Sequence, residues 1–369
     1  MQGKQNLASE WSDYFASEIE FGQQPGLLTK LRHASQIIYS REAQRNIGAL
    51  IERFRPDVAH AHNVYHHLSP AIFQTLKAHG VPTVMTAHDL KIACPAYKML
   101  SQGAVCEKCK GGNITQVLVN RCSKDSVAVS GLLLLETAVH RALGLYRNYL
   151  DRIVVPSRFY RAKLIEWGWP EAQLVYVPNF VSPDFVAGPA GAEGDYYLFA
   201  GRLAPEKGIA TLIEAAALAG IRLIVAGSGP EEAMLKQVAA ERGAPVTFAG
   251  HVSGQALRDL IGGARALVLP SEWYENAPVS ILEAYGLGRP VIGTDIGGIP
   301  ELIQVGETGL TAPAGDAPAL AAALGRMEGF GQARRAAMGA AGRAWVNEQF
   351  SAAAYRDRML DLYGQLVTT

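Results

Sequence analysis

The chain has 369 residues, of which 49% are hydrophobic and 18% charged, so it is long enough for two domains and too apolar to be disordered. Lys plus Arg and Asp plus Glu each number 34, which excludes the overall basic excess typical of nucleic-acid binding. Met1–Leu7 contains no apolar run and predicts no signal peptide, so we expect a cytoplasmic protein.

The first half of the chain alternates helix and strand patterns irregularly. Residues 1–24 are polar, and residues 29–55 have a helical pattern. Short apolar runs typical of buried parallel strands follow, at Asp57–His62, Pro82–Thr86, Arg152–Val155 and Leu174–Val177. Between the second and third of these runs lies a cysteine-containing insert, residues 94–122.

The insert holds all four cysteines of the chain. Their spacing, Cys94-x11-Cys106-x2-Cys109-x12-Cys122, resembles a zinc knuckle, and four thiolates would complete a closed tetrahedral site. We therefore predict structural zinc. An iron–sulfur cluster and free thiols stay open as alternatives, and disulfides are disfavoured without an export signal.

The most apolar segment, Val127–Leu135, follows the insert and ends at Glu136. It is well short of the roughly 20 residues that a membrane-spanning helix needs. We interpret it as a buried helix. A membrane-facing patch, and with it a peripheral contact at the inner face of a membrane, is the alternative.

Residues 182–195 are rich in small and helix-breaking residues and predict an interdomain linker. A regular βαβα alternation follows, which favours a parallel sheet with helices on both faces. The strands are predicted at Tyr196–Ala200, Arg222–Ala226, Val246–Phe248, Ala266–Leu269 and Pro290–Gly293. The Ala-rich tail is helical and ends in an apolar stripe that needs a surface to pack on. We divide the chain into 1–185, 186–350 and a returning helix, 351–369.

Three loops follow these strands, at the sheet edge where open α/β folds bind ligands. Gly201–Gly208 carries Arg202 and Lys207, two cations suited to a diphosphate, although two surface charges on a solvated loop would look the same. Gly227–Pro230 and Gly297–Glu301 permit close backbone approach, and Pro300 is expected to start a helix.

Ser271–Ala284 is the most informative stretch, because it places Glu275 in an exposed loop before a helix and Glu283 in the second helical turn. Pro278 is expected at the first helical position. Carboxylates bind sugar or ribose hydroxyls, and the free N–H groups of a helix start bind phosphate. The combination predicts a nucleotide-sugar site.

Histidines are concentrated in the first half. His88-Asp89 ends a predicted strand, where a structural capping pair is the simpler reading. His60 and His62 are interpreted as cleft-side or core polar residues, and His66 and His67 as candidate acceptor-side residues.

Taken together, these motifs resemble the donor-binding half of the retaining glycosyltransferases of family 4, which have the GT-B fold. The resemblance covers about Tyr196 to Leu310, in order. In the first half it extends to three further segments: Thr86–Asp89, Val155–Phe159 and Val177–Phe180.

The resemblance implies an α/β protein with two Rossmann-like domains facing across a cleft and a C-terminal helix that returns to the first domain. It implies transfer of a sugar from a UDP- or GDP-type donor to an acceptor hydroxyl with retention of configuration, in cell-surface glycan or glycolipid synthesis. Arg202 and Lys207 would bind the diphosphate, Glu275 the donor sugar, and His88 would face the reacting centre. Donor contacts would further include Gly201, His251, Val252, Asn276, Ala277, Pro278, Glu283, Gly297 and Gly298. The acceptor, which the resemblance does not name, could be a lipid-linked glycan.

No Asp-x-Asp occurs in the chain, which fits a transferase that needs no catalytic metal. One departure is the start: family members begin with a strand, a Gly-rich loop and a helix, and nothing of that kind precedes Asp57. This departure favours the alternative of a non-catalytic nucleotide-sugar-binding protein. A nucleotide-sugar epimerase is a further alternative, which the spacing of Glu275 and Glu283 disfavours.

Overall fold

The computed structural model describes residues 9–17, 26–65, 67–188 and 191–367. His66, one of the candidate acceptor-side residues, lies outside these ranges. His67 lies inside them.

The first half of the chain is built on a parallel sheet with strand order β1-β2-β5-β6. A two-residue antiparallel ladder, β3 with β4, lies in the insert. The strands are β1 Ala59–His62, β2 Thr83–Thr86, β3 Leu100–Ser101, β4 Ala104–Val105, β5 Arg152–Val155 and β6 Leu174–Tyr176. The helices are α1 Leu27–Ile38, α2 Arg41–Phe54, α3 Ile72–Ala78, α4 Gln116–Val119, α5 Val127–Ala142 and α6 Arg158–Glu166.

The second half contains a six-stranded parallel sheet with order β12-β11-β10-β7-β8-β9. Its strands are β7 Tyr197–Ala200, β8 Leu223–Ala226, β9 Val246–Gly250, β10 Leu267–Leu269, β11 Val291–Thr294 and β12 Gly309–Ala312. Its helices are α7 Ile209–Ala219, α8 Glu232–Glu241, α9 Gly254–Gly262, α10 Val279–Gly286, α11 Ala317–Gly329 and α12 Gly331–Gln349. The strands reverse their spatial order between β7 and β10, as in a Rossmann-like sheet.

The C-terminal helix, α13 Ala352–Val367, leaves the second unit and packs on the first. Its buried Met359 and Leu362 contact Val84, Val154 and Val177 of the first unit. This burial is what the apolar stripe of the tail required, and it confirms the predicted return of the helix.

The structure corrects the predicted elements at three places in the second half of the chain. β12 was missed because Gly309–Ala312 has no extended apolar run, and a Cβ at Gly309 would lie 2.1 Å from the Val291 carbonyl oxygen of the neighbouring strand. Pro300 begins a three-residue 3-10 turn and no α-helix. Pro278 is the N-cap of α10, with ψ of 113°, and Val279 is the first helical residue.

The residues described ahead of β1 form α1, α2 and one short 3-10 turn, and contain no strand. The predicted helical stretch 29–55 is interrupted because Ser40 adopts an extended conformation and its side chain caps α2 at Ala43.

The apolar segment 127–135 forms the first turns of α5, which is only partly buried. Leu133 and Glu136 face the core, whereas Val127 and Leu135 are exposed. Within the described ranges, no helix combines the length and the apolar character that crossing a membrane requires.

Candidate donor site in the cleft

A cavity of about 650 Å³ opens at the carboxyl ends of β7, β8 and β9. Five of the predicted donor-binding residues line it: Gly201, Arg202, His251, Val252 and Glu283. The loops around the cavity pack so closely that only glycine fits at two positions. A Cβ at Gly227 would lie 1.8 Å from the carbonyl oxygen of Gly201, and a Cβ at Gly229 would lie 2.1 Å from the carbonyl oxygen of Leu203. The cavity is therefore shaped by backbone, as a phosphate or nucleotide site requires.

Two side chains give this cavity its chemistry. Glu283, in the second turn of α10, is half-buried, and burial raises the pKa of its carboxyl group. Arg202 also lines the cavity, is exposed, and has no hydrogen bond or ion pair to any residue that the structure describes. A free guanidinium and a desolvated carboxylate in one cavity can bind an anion and a hydroxyl pair, respectively.

Glu275 and Lys207 lie outside this lining and form an ion pair. Lys207 Nζ is 2.6 Å from Glu275 Oε1, and Ser271 Oγ donates to the same oxygen at 2.7 Å. Glu275 was expected to be exposed in its loop, and this is wrong: its relative exposure is 6%, because the Gly297–Gly298 loop covers it. Gly298 N donates to the Glu275 carbonyl at 2.8 Å.

Gly297 and Gly298, predicted as donor contacts, therefore also have a structural task. No side chain fits at Gly298, because a Cβ there would lie 1.7 Å from the Asn276 carbonyl oxygen. At Gly297 the backbone φ is 63°, and a Cβ would lie 2.6 Å from backbone atoms of Glu275. The pair holds the loop that carries Glu275.

His88 lies on the first unit, facing the second. Its carbonyl oxygen accepts a hydrogen bond from Asn276 Nδ2 at 3.2 Å, and its Nε2 is 2.8 Å from His62 Nδ1. Partial burial, together with His62, lowers the pKa of His88. His88 therefore lies beside the Glu275 loop, where the two units meet.

His60 and His62 have different surroundings. His60 bonds Tyr363 of α13 at 2.6 Å and Thr86 at 2.7 Å, and burial, with His62 and His88, lowers its pKa to about 4. His60 is thus a half-buried polar residue that binds α13, whereas His62 is exposed beside His88.

Contacts between the two units converge on the same loops. Asn276 bonds the carbonyls of Ala87 and His88 and accepts from Ser157 Oγ at 2.8 Å. The Glu301 carboxylate accepts the backbone N–H groups of Arg158, at 2.8 Å, and of Phe159. Glu301 thereby caps α6 of the other unit, and its charge complements the helix dipole.

The sequence did not reveal this contact between Glu301 and the start of α6, although both segments belong to sequence motifs described above. Ser157–Phe159 and Pro300–Glu301 were recognised separately, and only the three-dimensional structure shows that one caps the other.

We expect Glu301→Ala to lower the free energy of unfolding by about 1 kcal/mol, because α6 loses its cap from the other unit. Urea unfolding measures the change. Glu307→Ala, an exposed glutamate nearby, is the control and is expected to have no such effect. Equal stability of the two variants would contradict the capping role.

The insert contacts the donor loops directly. Lys98 Nζ is 2.6 Å from Glu206 Oε1, and Glu107 Oε1 accepts from Tyr274 Oη at 2.9 Å and from Lys163 Nζ at 2.8 Å. Lys98 and Lys207 both lie over the Trp273 ring, 6.0 and 5.3 Å from its centroid. The insert therefore forms part of the wall around the Glu275 loop.

The four cysteines are free thiols that line one small cavity. Burial, together with the neighbouring thiols of Cys94, Cys122 and Cys106, raises the pKa of Cys109 to about 12. Among the residues that the structure describes, no three His, Cys, Asp or Glu side chains are already arranged as a metal-ligand set.

The GT-B class of fold is defined here by three features: two Rossmann-like parallel sheets, loops of the two units in contact with each other, and a C-terminal helix that returns to the first unit. Among solved structures, sucrose-phosphate synthase from Thermosynechococcus elongatus aligns with a TM-score of 0.66 at 24% identity, over 89% of this chain and 78% of that one. The predicted fold class is confirmed.

The sequence comparisons give the family. The pattern described as "Glycosyl transferase 4-like domain" matches residues 18–179, and the pattern described as "Glycosyl transferases group 1" matches residues 194–328. The chain therefore belongs to the group 1, family 4-like glycosyltransferases.

Two curated relatives illustrate the similarity. The alpha-D-kanosaminyltransferase of Streptomyces kanamyceticus is 35% identical over 137 residues, which is 35% of each chain. The GDP-mannose-dependent alpha-(1-6)-phosphatidylinositol monomannoside mannosyltransferase of Mycobacterium tuberculosis is 30% identical over 224 residues, or 54% of this chain and 58% of the relative. The matches thus span between about a third and three fifths of these relatives.

Proposed function

We propose that the protein transfers a sugar from a nucleotide-diphosphate donor to an acceptor hydroxyl with retention of configuration. The observation that carries this proposal is the convergence of Arg202, Glu283 and the Lys207–Glu275 pair at the carboxyl edge of one parallel sheet. A nucleotide sugar would need these groups: a cation for the diphosphate, a carboxylate for the ribose, and a buried carboxylate beside a second cation for the sugar.

The nucleotide end of the donor fits the cavity described above. Glu283 would accept hydrogen bonds from the two ribose hydroxyls, and the backbone around His251 and Val252 would line the base pocket. Arg202, which has no partner in the described part of the chain, would bind the diphosphate with its planar fork.

The reacting end of the donor would lie between Glu275 and His88. Lys207 has three donors, so it can hold Glu275 and a phosphate oxygen at once. Negative charge grows on the leaving phosphate as the glycosidic bond breaks, and Lys207 and Arg202 would stabilise it. In a front-face reaction, that phosphate takes the proton of the acceptor hydroxyl, so no metal and no separate base are needed.

A membrane-associated acceptor, such as a lipid-linked glycan, is part of the proposal. The relative from Mycobacterium tuberculosis acts, by its name, on a phosphatidylinositol mannoside. In this chain, exposed Val119, Val127 and Leu135 lie on or beside α4 and α5 of the first unit. These side chains would supply the peripheral membrane contact, in cell-surface glycan or glycolipid synthesis.

The first experiment is a thermal-shift screen with UDP, GDP and their sugar conjugates, followed by donor-hydrolysis and transfer assays. We expect one nucleotide family to raise the melting temperature and its sugar conjugate to be turned over. Binding without turnover under any acceptor would favour the non-catalytic alternative, and no binding would contradict the site itself. NMR of the product anomer tests retention.

We expect Glu283→Ala to weaken nucleotide binding about 10- to 100-fold, because a charge-assisted hydrogen bond to the ribose contributes about 1.5–3 kcal/mol. Isothermal titration calorimetry with the nucleotide found in the screen measures this loss. Glu307→Ala again serves as the control. An unchanged dissociation constant would remove Glu283 from the ribose site.

A further inference from the structure

The insert, residues 94–122, has little regular structure with which to hold itself together. It contains a two-residue ladder, a 3-10 turn and the one-turn helix α4. Backbone φ is positive at several of its non-glycine residues, namely Tyr97, Met99, Gln102 and Arg121. A segment so rich in tight turns and so poor in core usually needs a cross-link or a metal.

The fold brings its four cysteines from three separate turns to one place. Cys94 follows the His88 loop, Cys106 and Cys109 follow β4, and Cys122 follows α4. All four line a single cavity of about 10 Å³, together with Met99, Leu100 and Val117. The backbone brings these turns close, since Cys106 N donates to the Met99 carbonyl at 2.8 Å and Cys122 N to the Val117 carbonyl at 3.1 Å.

We propose that Cys94, Cys106, Cys109 and Cys122 bind one zinc ion. The cavity is about the size of one water molecule, so a single ion suits it better than an iron–sulfur cluster, which also contains inorganic sulfides. Four thiolates around one centre are the ligand set that zinc prefers in closed structural sites, at about 2.3 Å from each sulfur. Among the residues that the structure describes, the thiols are not yet arranged as ligands, so binding zinc would require the cysteine side chains to rotate toward the cavity.

The site would fix the insert against the donor domain. Lys98, between Cys94 and Cys106, pairs with Glu206, the neighbour of Lys207. Glu107, between Cys106 and Cys109, bonds Tyr274, the neighbour of Glu275. Zinc would therefore hold one wall of the cleft in register with the two residues proposed to act on the donor. This consequence rests on the proposed function, whereas the metal site itself does not.

Metal content decides the proposal without any donor or acceptor. The full chain is purified in reducing buffer without chelator, and its metals are measured by mass spectrometry. We expect about one zinc per chain, and four thiols that react with a thiol reagent only after chelation or unfolding. Two results would overturn the proposal. One is folded protein that holds less than half an equivalent of zinc and has freely reactive thiols, and the other is iron with labile sulfide in place of zinc.

Variants then distinguish the loss of zinc from the loss of a contact between the insert and the donor domain. Cys106→Ser and Cys109→Ser are expected to lose most of the zinc, and Lys98→Ala, a non-cysteine change inside the insert, is expected to keep it. If the serine variants do not fold, the zinc content and thiol protection of the unchanged protein still decide. If the protein holds zinc but shows no transfer, the metal site stands and the proposed function fails.

Discussion

Replacing Glu275 with glutamine is expected to lower kcat for sugar transfer about 10²–10³-fold while the protein stays folded. Glu275 is buried and bonds both Lys207 and Ser271, so its carboxylate has a fixed direction relative to the cleft. Removing one preorganised electrostatic contact at a reacting centre typically costs this much. Steady-state kinetics with the donor from the screen measures kcat, and thermal unfolding shows whether the fold survives.

Glutamine is chosen over alanine because the residue is not exposed. The glutamine side-chain oxygen can still accept from Ser271 and Lys207, whereas alanine would leave both without their partner. The matched control is Glu272→Gln, three residues earlier, whose carboxylate bonds Thr211 Oγ1 at 2.5 Å. We expect the control to keep kcat close to its original value. Full activity of the Glu275 variant would show that the donor sugar binds elsewhere.

Arg202→Met and Lys207→Met are both expected to lower kcat about 10²–10³-fold, because each removes a cation proposed to stabilise the leaving diphosphate. Their effects on stability should differ. Arg202 is exposed and unpartnered in the described part of the chain, so its loss should leave the melting temperature unchanged. Lys207→Met leaves buried Glu275 without its cation, which we expect to cost about 1–3 kcal/mol of unfolding free energy.

Kinetics and thermal unfolding of the two variants, measured side by side, test this pair of expectations. The double variant Lys207→Met with Glu275→Gln should recover part of the lost stability, since no unpaired charge stays buried. A stable Lys207→Met protein would contradict the importance of the ion pair. An active Arg202→Met protein would place the diphosphate away from the cavity.

Much of the fold could be predicted from local sequence. Arg152–Val155 and Tyr197–Ala200 are short apolar runs bounded by polar or turn residues, so their identity as buried strands follows from composition alone. β12 could not be found in this way, because Gly309 is needed at a position where the Val291 carbonyl of the neighbouring strand leaves no room for a side chain. In the sequence, a glycine that is needed for close packing against a neighbouring strand cannot be distinguished from a glycine that ends a strand.

The candidate site shows the same division. Arg202, in a loop, and Glu283, in a helical turn, were predicted as donor residues and line one cavity in the structure, although their roles remain predictions. Asn276 was predicted as a donor contact, which stays a prediction, and only the structure shows that its side chain bonds Ala87 and His88 of the other unit. Such bonds join residues nearly 190 positions apart, so no spacing rule could reveal them.

By itself the sequence determined the α/β alternation, the ordered motifs of the donor half and the family. These depend on local periodicity and on loops that immediately follow strands. Only the tertiary structure decided that Glu275 is buried beside Lys207, that Glu301 caps α6 and that Lys98 reaches Glu206. Burial and ion pairing arise where segments distant in sequence exclude water together, within the second unit for Glu275 and between units or with the insert for Glu301 and Lys98.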